Sequence, residues 1–209
     1  MSNNLIQISM TGELGSGKST TARYLVEQLK VDLLSTGAFQ REMAAKLGIT
    51  TLELNHRADT DPSIDDEIDG RTKALENSGR NFIIDSRLAW RFLPSSFKVF
   101  LVCPPAIAAQ RAFKQERASE SFASHEDAMD QMQARHTSER LRFLKTYDAS
   151  QGHYRNYDLA IDTSWAPVEE VGDAIIEGFK RNGTGHQMLA APRNLFPLPA
   201  SAEDMASPG

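Results

Sequence analysis

The sequence predicts an α/β fold in which helices cover both faces of a five-stranded parallel sheet. Five short apolar runs alternate along the chain with segments of helical pattern, which is the order of a doubly wound domain. These runs are continuously apolar rather than alternating with polar residues, as expected for strands that are covered on both faces. A glycine-rich turn follows the first run directly. We therefore expect a ligand crevice beyond the carboxyl ends of the strands.

The first run, LIQISM (5–10), leads into a turn that matches the phosphate-binding pattern G-x-x-x-x-G-K-[ST] at every fixed position. Its glycines let the backbone come close to phosphate oxygens, and the helix that follows adds free N–H groups. Lys18 is expected to reach the β- and γ-phosphates of a nucleoside triphosphate, and the Ser19 hydroxyl to bind Mg²⁺. The alternative is a glycine-rich turn without a ligand. The residues assigned to the nucleotide are Gly12, Glu13, Leu14, Gly15, Ser16, Gly17, Lys18, Ser19 and Thr20.

The remaining strand candidates follow in order along the chain. VDLL (31–34) precedes a helical segment that Gly48 is suited to end. Three later runs are rich in β-branched and aromatic residues, which favours strands. They are NFIID (81–85), KVFLVC (98–103) and DLAID (158–162).

Two helical insertions interrupt this alternation. The first, residues 50–78, is acidic, and Asp61-Pro62 within it is a typical helix start because Asp caps N-termini and Pro suits the first turn. The second, residues 104–146, is rich in Arg and Lys. Inside it, ASESFASHED (118–127) consists of small and polar residues and is predicted to be a mobile turn.

Composition limits the class of protein. Residues 1–183 are predicted to form one domain, and the tail 184–209, which has no periodic pattern, is predicted to be flexible. The net charge of −5 argues against general nucleic-acid binding. Cys103 ends an apolar run and is expected to be a buried thiol in a reducing compartment. Because no apolar run is long enough to span a membrane and no signal peptide is present, we expect a cytoplasmic protein.

The basic residues favour a small-molecule kinase among phosphate-loop proteins. The D-x-x-G and N-K-x-D motifs of GTPases do not occur. Phosphoryl transfer needs cations because negative charge accumulates on the phosphoryl oxygens, and the planar fork of arginine matches them. The second insertion carries Arg111, Lys114, Arg117, Arg135, Arg140, Arg142 and Lys145.

Further segments resemble the cytidylate kinases of the nucleoside monophosphate kinase family, and the resemblance covers roughly residues 5–180. They are STGAFQREMA (35–44), DPSIDDEIDGR (61–71), IIDSRLAW (83–90), and RHTSERLRF (135–143) followed by YDLAIDTS (157–164). The resemblance implies a P-loop kinase sheet of strand order 2-3-1-4-5, with a helical monophosphate-binding insertion (36–78) and a lid (111–142). It also implies Mg²⁺-dependent transfer of the γ-phosphate of ATP to CMP or dCMP.

The resemblance assigns roles to single residues. Arg41 and Arg87 would hold the α-phosphate of the acceptor, and Arg111 would cover the adenine or the donor phosphates. The acceptor set is Thr36, Gly37, Arg41, Asp65, Arg87, Arg135 and Glu139. The catalytic set is Lys18, Arg87, Arg135, Arg140 and Arg142.

Several of these roles have alternatives. Asp85 would lie beside the water ligands of Mg²⁺, or would cap the following turn. Arg140 and Arg142 would contact the transferring phosphate, or would belong to a salt-bridged surface. Glu139 would read the ribose hydroxyls, or would be a surface charge.

The base specificity stays open because Ala38, Ser86 and Gln115 depart from the archaeal-type pattern. Candidates for reading cytosine are Asp65, Asp69 and Arg71. The alternatives in function are a kinase for AMP, UMP or another small metabolite, and an ATP-binding regulatory module without an acceptor. We expect a monomer whose partners are ATP and a nucleoside monophosphate, and neither nucleic acid nor a membrane.

Overall fold

The fold is built on a parallel sheet with the strand order β2-β3-β1-β4-β5. A computed structural model describes residues 5–13, 15–49, 51–58, 60–114 and 124–182. The strands are β1 (Gln7–Gly12), β2 (Asp32–Ser35), β3 (Phe82–Asp85), β4 (Phe97–Val102) and β5 (Leu159–Asp162). The structure thus confirms the predicted five-stranded parallel sheet and its strand order.

The strand register brings the carboxyl ends of the strands to one edge of the sheet. Met10 of β1 pairs with Asp85 of β3, and Gly12 pairs with Leu101 of β4. Met10 is fully buried because the central strand is covered on both faces. The glycine-rich turn therefore leaves the middle of the sheet, between the ends of β3 and β4.

Helices connect the strands and cover the sheet. They are α1 (Lys18–Leu29), α2 (Thr36–Leu47), α3 (Thr51–Ala58), α4 (Pro62–Lys73), α5 (Ala89–Phe92), α6 (Pro105–Lys114), α7 (His125–Tyr147) and α8 (Val168–Asn182), with a short 3₁₀ helix at Tyr154–Asn156. Leu25 of α1 and Ile175 of α8 are fully buried in the main core with β1 and β4. Phe82 and Leu93 belong to a second apolar cluster, in which α5 packs against β3.

The helix termini follow local sequence signals. Gly48 ends α2 with a φ of 67°, a left-handed conformation that favours glycine. Asp61 caps α4, where its carboxylate accepts a hydrogen bond from the Ser63 N–H at 3.0 Å, and Pro62 is the first residue of the helix.

The prediction of a mobile turn at 118–127 was wrong for the carboxyl end of that segment. Ser124 caps α7 by accepting a hydrogen bond from the Asp127 N–H at 3.1 Å, and the helix begins at His125. The Ser side chain and the acidic first turn stabilise this start, because both complement the free N–H groups of the helix. Residues 118–123 and the tail 184–209 lie outside the described residues.

The acidic insertion has an apolar cluster of its own. Met43 of α2, Leu54 of α3, and Ile64 and Ile68 of α4 are buried against one another. This small core is separate from the two apolar clusters that pack against the sheet. Helices α2–α4 therefore form a unit of their own on the β2 side of the molecule. None of the helices in the described residues is long and apolar enough to cross a membrane.

Candidate active site

The glycine-rich turn runs in close contact with neighbouring backbone. A Cβ atom at Gly12 would lie 2.4 Å from the Leu101 carbonyl oxygen, and one at Gly15 would lie 2.7 Å from the Ala108 carbonyl oxygen. Gly17 caps α1 with a φ of 83°, which a residue with a Cβ adopts only with strain. The geometry of the turn therefore accounts for all three glycines of the motif.

Two polar side chains of the turn are suited to a phosphate group. The Lys18 ammonium donates hydrogen bonds to the carbonyl oxygens of Gly12 at 3.1 Å and Glu13 at 3.3 Å, which holds it over the turn. Ser16 is 2% exposed, and its hydroxyl has no hydrogen-bond partner among the described residues. A buried hydroxyl without a partner costs about 1–3 kcal/mol, which a phosphate oxygen would offset. Leu14 lies outside the described residues, and Thr20 is exposed.

Ser19 and Asp85 meet at the carboxyl edge of the sheet. The Ser19 hydroxyl donates a hydrogen bond to Asp85 Oδ2 at 2.7 Å. Asp85 is the last residue of β3, and Ser19 lies in the first turn of α1. Mg²⁺ prefers such oxygen ligands and is commonly held by one or two protein groups together with phosphates and water. The described residues contain no group of three or more His, Cys, Asp or Glu that could hold a metal by themselves.

Ser86 caps the turn after β3. Capping this turn was the alternative role that the sequence left open for Asp85. Its hydroxyl accepts hydrogen bonds from the Leu88 N–H at 3.3 Å and the Ala89 N–H at 3.2 Å. Its carbonyl accepts a hydrogen bond from the Thr11 hydroxyl at 3.0 Å. The serine that departs from the archaeal-type pattern thus has a structural function, and Asp85 remains available to Ser19.

The residues predicted to bind the acceptor phosphate lie on the β2–β3 side of the turn. Thr36 and Gly37 begin α2 directly after β2, and Arg41 lies one turn further and is exposed. A Cβ atom at Gly37 would be 3.5 Å from Arg41 Nη1, so the arginine passes over the glycine. Arg87 follows β3 and is half-buried. Its carbonyl accepts hydrogen bonds from Trp90 Nε1 and from Gln151 Nε2, each at 3.1 Å, which fix its backbone.

The three candidates for reading a base are in different environments. Asp65 of α4 lies 4.0 Å from the guanidinium of Arg142 on α7, and both side chains are partly buried. Arg71 forms ion pairs with Glu42 at 2.9 Å and Glu67 at 3.1 Å. The structure thus places Asp65 between α4 and α7, and it places Arg71 in contacts within the α2–α4 unit.

Asp69, the third candidate, is buried between α4 and α7. It is 7% exposed and shares a hydrogen bond with the Tyr147 hydroxyl. Burial raises the pKa of the Asp69 carboxyl, and the hydrogen bond from Tyr147 opposes this shift. Burial, followed by the charge of Asp65, raises the pKa of Tyr147. The Asp69–Tyr147 contact joins the two helices, and no pattern in the sequence indicated it.

Helix α7 also approaches the glycine-rich turn. His136 Nε2 lies 3.4 Å from Glu13 Oε2, a contact that the sequence did not predict. Arg140 is exposed on α7. Arg135 and Glu139 lie on the same helix, but their side chains are outside the described part of the structure. Helix α7 thus carries the carboxyl part of the predicted lid and contacts both the turn and α4, whereas Arg111 at the start of the predicted lid lies in α6.

Arg111 is bound to the loop that follows β5. Its guanidinium donates hydrogen bonds to the Thr163 carbonyl at 2.5 Å and the Ser164 carbonyl at 3.0 Å. The Thr163 hydroxyl in turn donates to the Ser16 carbonyl at 3.0 Å. Arg111 therefore braces this loop against the glycine-rich turn, and its predicted contact with adenine stays a prediction. Cys103, 3.7 Å from the same guanidinium, is buried as expected.

Comparison with known proteins decides the family. Residues 7–165 match the cytidylate kinase-like family. The chain belongs to this family. A cytidylate kinase from Methanocella arvoryzae is 36% identical over 170 residues, a match that covers 81% of this chain and 94% of that protein. The resemblance seen in the sequence is thereby confirmed.

One further relative and one solved structure are also similar to the chain. An S-adenosylmethionine-dependent nucleotide dehydratase from Lacinutrix mariniflava is 32% identical over 177 residues, and the chain spans 36% of the length of that protein. Shikimate kinase from Bacteroides thetaiotaomicron has a TM-score of 0.61 at 16% identity, with 84% of this chain and 98% of that chain covered. This second likeness shows the P-loop kinase fold. Family and fold together identify a nucleotide-binding kinase.

Proposed function

We propose that this kinase transfers the γ-phosphate of ATP to CMP or dCMP and releases ADP and the diphosphate. The observation that carries the proposal is the arrangement along the carboxyl edge of the sheet. The glycine-rich turn and the Ser19–Asp85 pair lie at the end of β1 and β3, and α2 with Arg41 begins at the end of β2. A donor on the turn and an acceptor beside α2 would therefore be neighbours.

The cations are distributed as a transfer between two phosphates requires. Lys18 would exchange its contacts with backbone carbonyls for contacts with the β- and γ-phosphates of ATP. Arg41 and Arg87 lie on separate elements and would grip the α-phosphate of the acceptor from two sides. No covalent intermediate is needed, because positioning and electrostatic stabilisation supply most of the catalysis of phosphoryl transfer.

The Ser19–Asp85 pair is suited to Mg²⁺. A hydroxyl and a carboxylate oxygen 2.7 Å apart present the hard ligands that this ion prefers. Ser19 would bind the ion directly, and Asp85 would bind it through water. When bound, Mg²⁺ neutralises negative charge on the phosphate oxygens of ATP.

Helix α7 would close over the two bound substrates. Arg140 and Arg142, with Arg135, would add positive charge around the transferring phosphate when both substrates are present. Such closure excludes water, which would otherwise compete as the acceptor. The contact between His136 and Glu13 brings α7 to the turn, which supports this arrangement.

The position and charge of Asp65 favour an acceptor whose base is cytosine. A carboxylate accepts hydrogen bonds from the exocyclic amino group of cytosine, whereas uracil presents an oxygen at the same position. Asp65 is partly buried and lies beside Arg142, so an acceptor beneath α7 would meet both charges. The relatives named as cytidylate kinases support the same choice.

The test is an ADP-release assay with ATP, Mg²⁺ and a panel of acceptors: CMP, dCMP, UMP, AMP and shikimate. CMP and dCMP are expected to give the highest kcat/KM. Shikimate serves as a control because it is the substrate named for a protein of the same fold, and it should give no ADP above background.

Two results would contradict the proposal. A higher kcat/KM with AMP, UMP or shikimate would show a kinase for a different acceptor. ATP binding without ADP release from any member of the panel would indicate a regulatory module instead.

A further inference from the structure

Glu13 places a carboxylate in the turn that forms the proposed donor site. The Glu13 N–H donates a hydrogen bond to the Leu101 carbonyl at 3.0 Å, and the Glu13 carbonyl accepts one from the Ser16 N–H at 3.2 Å. These bonds fix the backbone of Glu13, so its side chain projects from a rigid turn. A carboxylate beside phosphate groups repels them, because like charges that are partly shielded from water interact strongly. A cation close to Glu13 would therefore favour the binding of a triphosphate.

Helix α7 supplies a partner for this carboxylate. His136 Nε2 lies 3.4 Å from Glu13 Oε2, and 33% of the His136 side chain and 32% of the Glu13 side chain are exposed. Burial, followed by the charge of Glu13, raises the pKa of Tyr154, whose ring lies 5.6 Å from that of Phe100. The carboxylate thus lies near an aromatic wall, where water stabilises a charge less than it does at an open surface. An imidazolium at His136 would compensate that charge.

His136 lies on the inward face of α7. Four residues of this helix share one face, because they are spaced at i, i+4, i+7 and i+11. They are His136, Arg140, Phe143 and Tyr147. Phe143 is buried, and Tyr147 shares its hydrogen bond with Asp69 of α4. Arg140 is exposed and follows His136 by one turn, about 6 Å along the helix axis, so a contact that holds His136 on the glycine-rich turn also sets the position of Arg140.

We propose that an ion pair between His136 and Glu13 positions α7 for phosphoryl transfer. The inference rests on the proposed function, in which Arg140 contacts the transferring phosphate. His136 would touch neither substrate and is a positioning residue. The pair would offset the negative charge of Glu13 when the triphosphate binds, and it would hold Arg140 over the turn when the acceptor is present.

The first experiment measures donor binding on the full chain and on three variants: His136→Ala, Glu13→Ala and the double variant. Alanine preserves the helix at His136 and the backbone hydrogen bonds at Glu13. The ligand is a non-hydrolysable ATP analogue with Mg²⁺, titrated without an acceptor. His136→Ala leaves the charge of Glu13 uncompensated and should weaken the analogue about 2- to 5-fold. Glu13→Ala and the double variant should bind it at least as tightly as the natural chain does.

The second experiment measures kcat with CMP by ADP release at saturating substrates. All three variants lack the pair, so kcat should fall about 2- to 5-fold in each of them. The loss in the double variant should equal the loss in either single variant, since the two residues act as a unit. His136→Arg keeps a cation and should retain most of the turnover. The matched control is His125→Ala, which removes an exposed histidine from the first turn of the same helix and should not change kcat.

The inference is overturned if His136→Ala leaves either the affinity for the analogue or kcat unchanged. It is also overturned if the loss of kcat in the double variant equals the product of the two single losses, because the residues would then act independently. Failure of the proposed function gives a different result. The natural chain would then phosphorylate no acceptor, and the titrations with the analogue would still decide whether His136 compensates the charge of Glu13.

Discussion

Replacing Arg41 with alanine should weaken acceptor binding and leave both ATP binding and folding almost unchanged. Arg41 is exposed on α2 and forms no ion pair with the described residues, so its truncation should change the free energy of unfolding by less than about 0.5 kcal/mol. A charge-assisted hydrogen bond to a phosphate contributes about 1.5–3 kcal/mol. Its loss corresponds to a fall in CMP affinity of about 10- to 150-fold.

Calorimetric titration with CMP and, separately, with a non-hydrolysable ATP analogue measures both affinities. Lys46→Ala is a matched control, because Lys46 is an exposed cation on the same helix that pairs with Glu42 at 2.9 Å. The control should bind CMP like the natural chain. Unchanged CMP affinity in Arg41→Ala would refute the acceptor site at α2, and equal weakening of both ligands would show damage to the structure.

Three further predictions concern the turn and the contact between α4 and α7. Lys18→Ala should lower kcat on the order of 100-fold or more with little change in melting temperature, measured by ADP release and by thermal unfolding; normal turnover would exclude the turn as the donor site. Gly12→Ala should lower the free energy of unfolding by about 1–3 kcal/mol or more in urea titrations, because the new Cβ would meet the Leu101 carbonyl at 2.4 Å; an unchanged midpoint would contradict that close approach. For Asp69, the raised pKa means that the folded state binds its proton more tightly than the unfolded chain does, so the free energy of unfolding should fall as pH rises from the ordinary carboxyl pKa through the raised one. Asp69→Asn should remove the contribution of this carboxyl to the fall in the free energy of unfolding. Urea titrations of the natural protein and the variant across the acidic range measure the difference. The same pH dependence in both proteins would contradict the prediction.

The sheet and the turn could be predicted because their signals are local. Continuous apolar runs predicted all five strands, and the motif predicted the turn before α1. The expectation that every strand is covered on both faces was wrong for β2, an edge strand in which Asp32 and Leu33 are exposed. Gly48 and Asp61-Pro62 predicted helix ends, since capping depends on residues within one turn of the terminus.

The contacts that assemble the site could not be predicted in this way. The Asp69–Tyr147 and His136–Glu13 contacts join residues that are far apart in the sequence, and they depend on how α7 lies across the molecule. The capping role of Ser86 was missed because a serine after a strand has many possible partners. The Ser86 hydroxyl accepts from the Leu88 and Ala89 N–H groups because the chain turns directly into α5 after β3.

In the proposed reaction, the γ-phosphate of ATP passes to a cytidine monophosphate held beside the glycine-rich turn. The most direct test follows the phosphorus itself, with γ-labelled ATP, Mg²⁺ and CMP, and separates the products by chromatography. The label should appear in CDP at the rate at which ADP forms, and CMP should be preferred to UMP and AMP. Label that appears only as inorganic phosphate, or on AMP or UMP in preference to CMP, would contradict it.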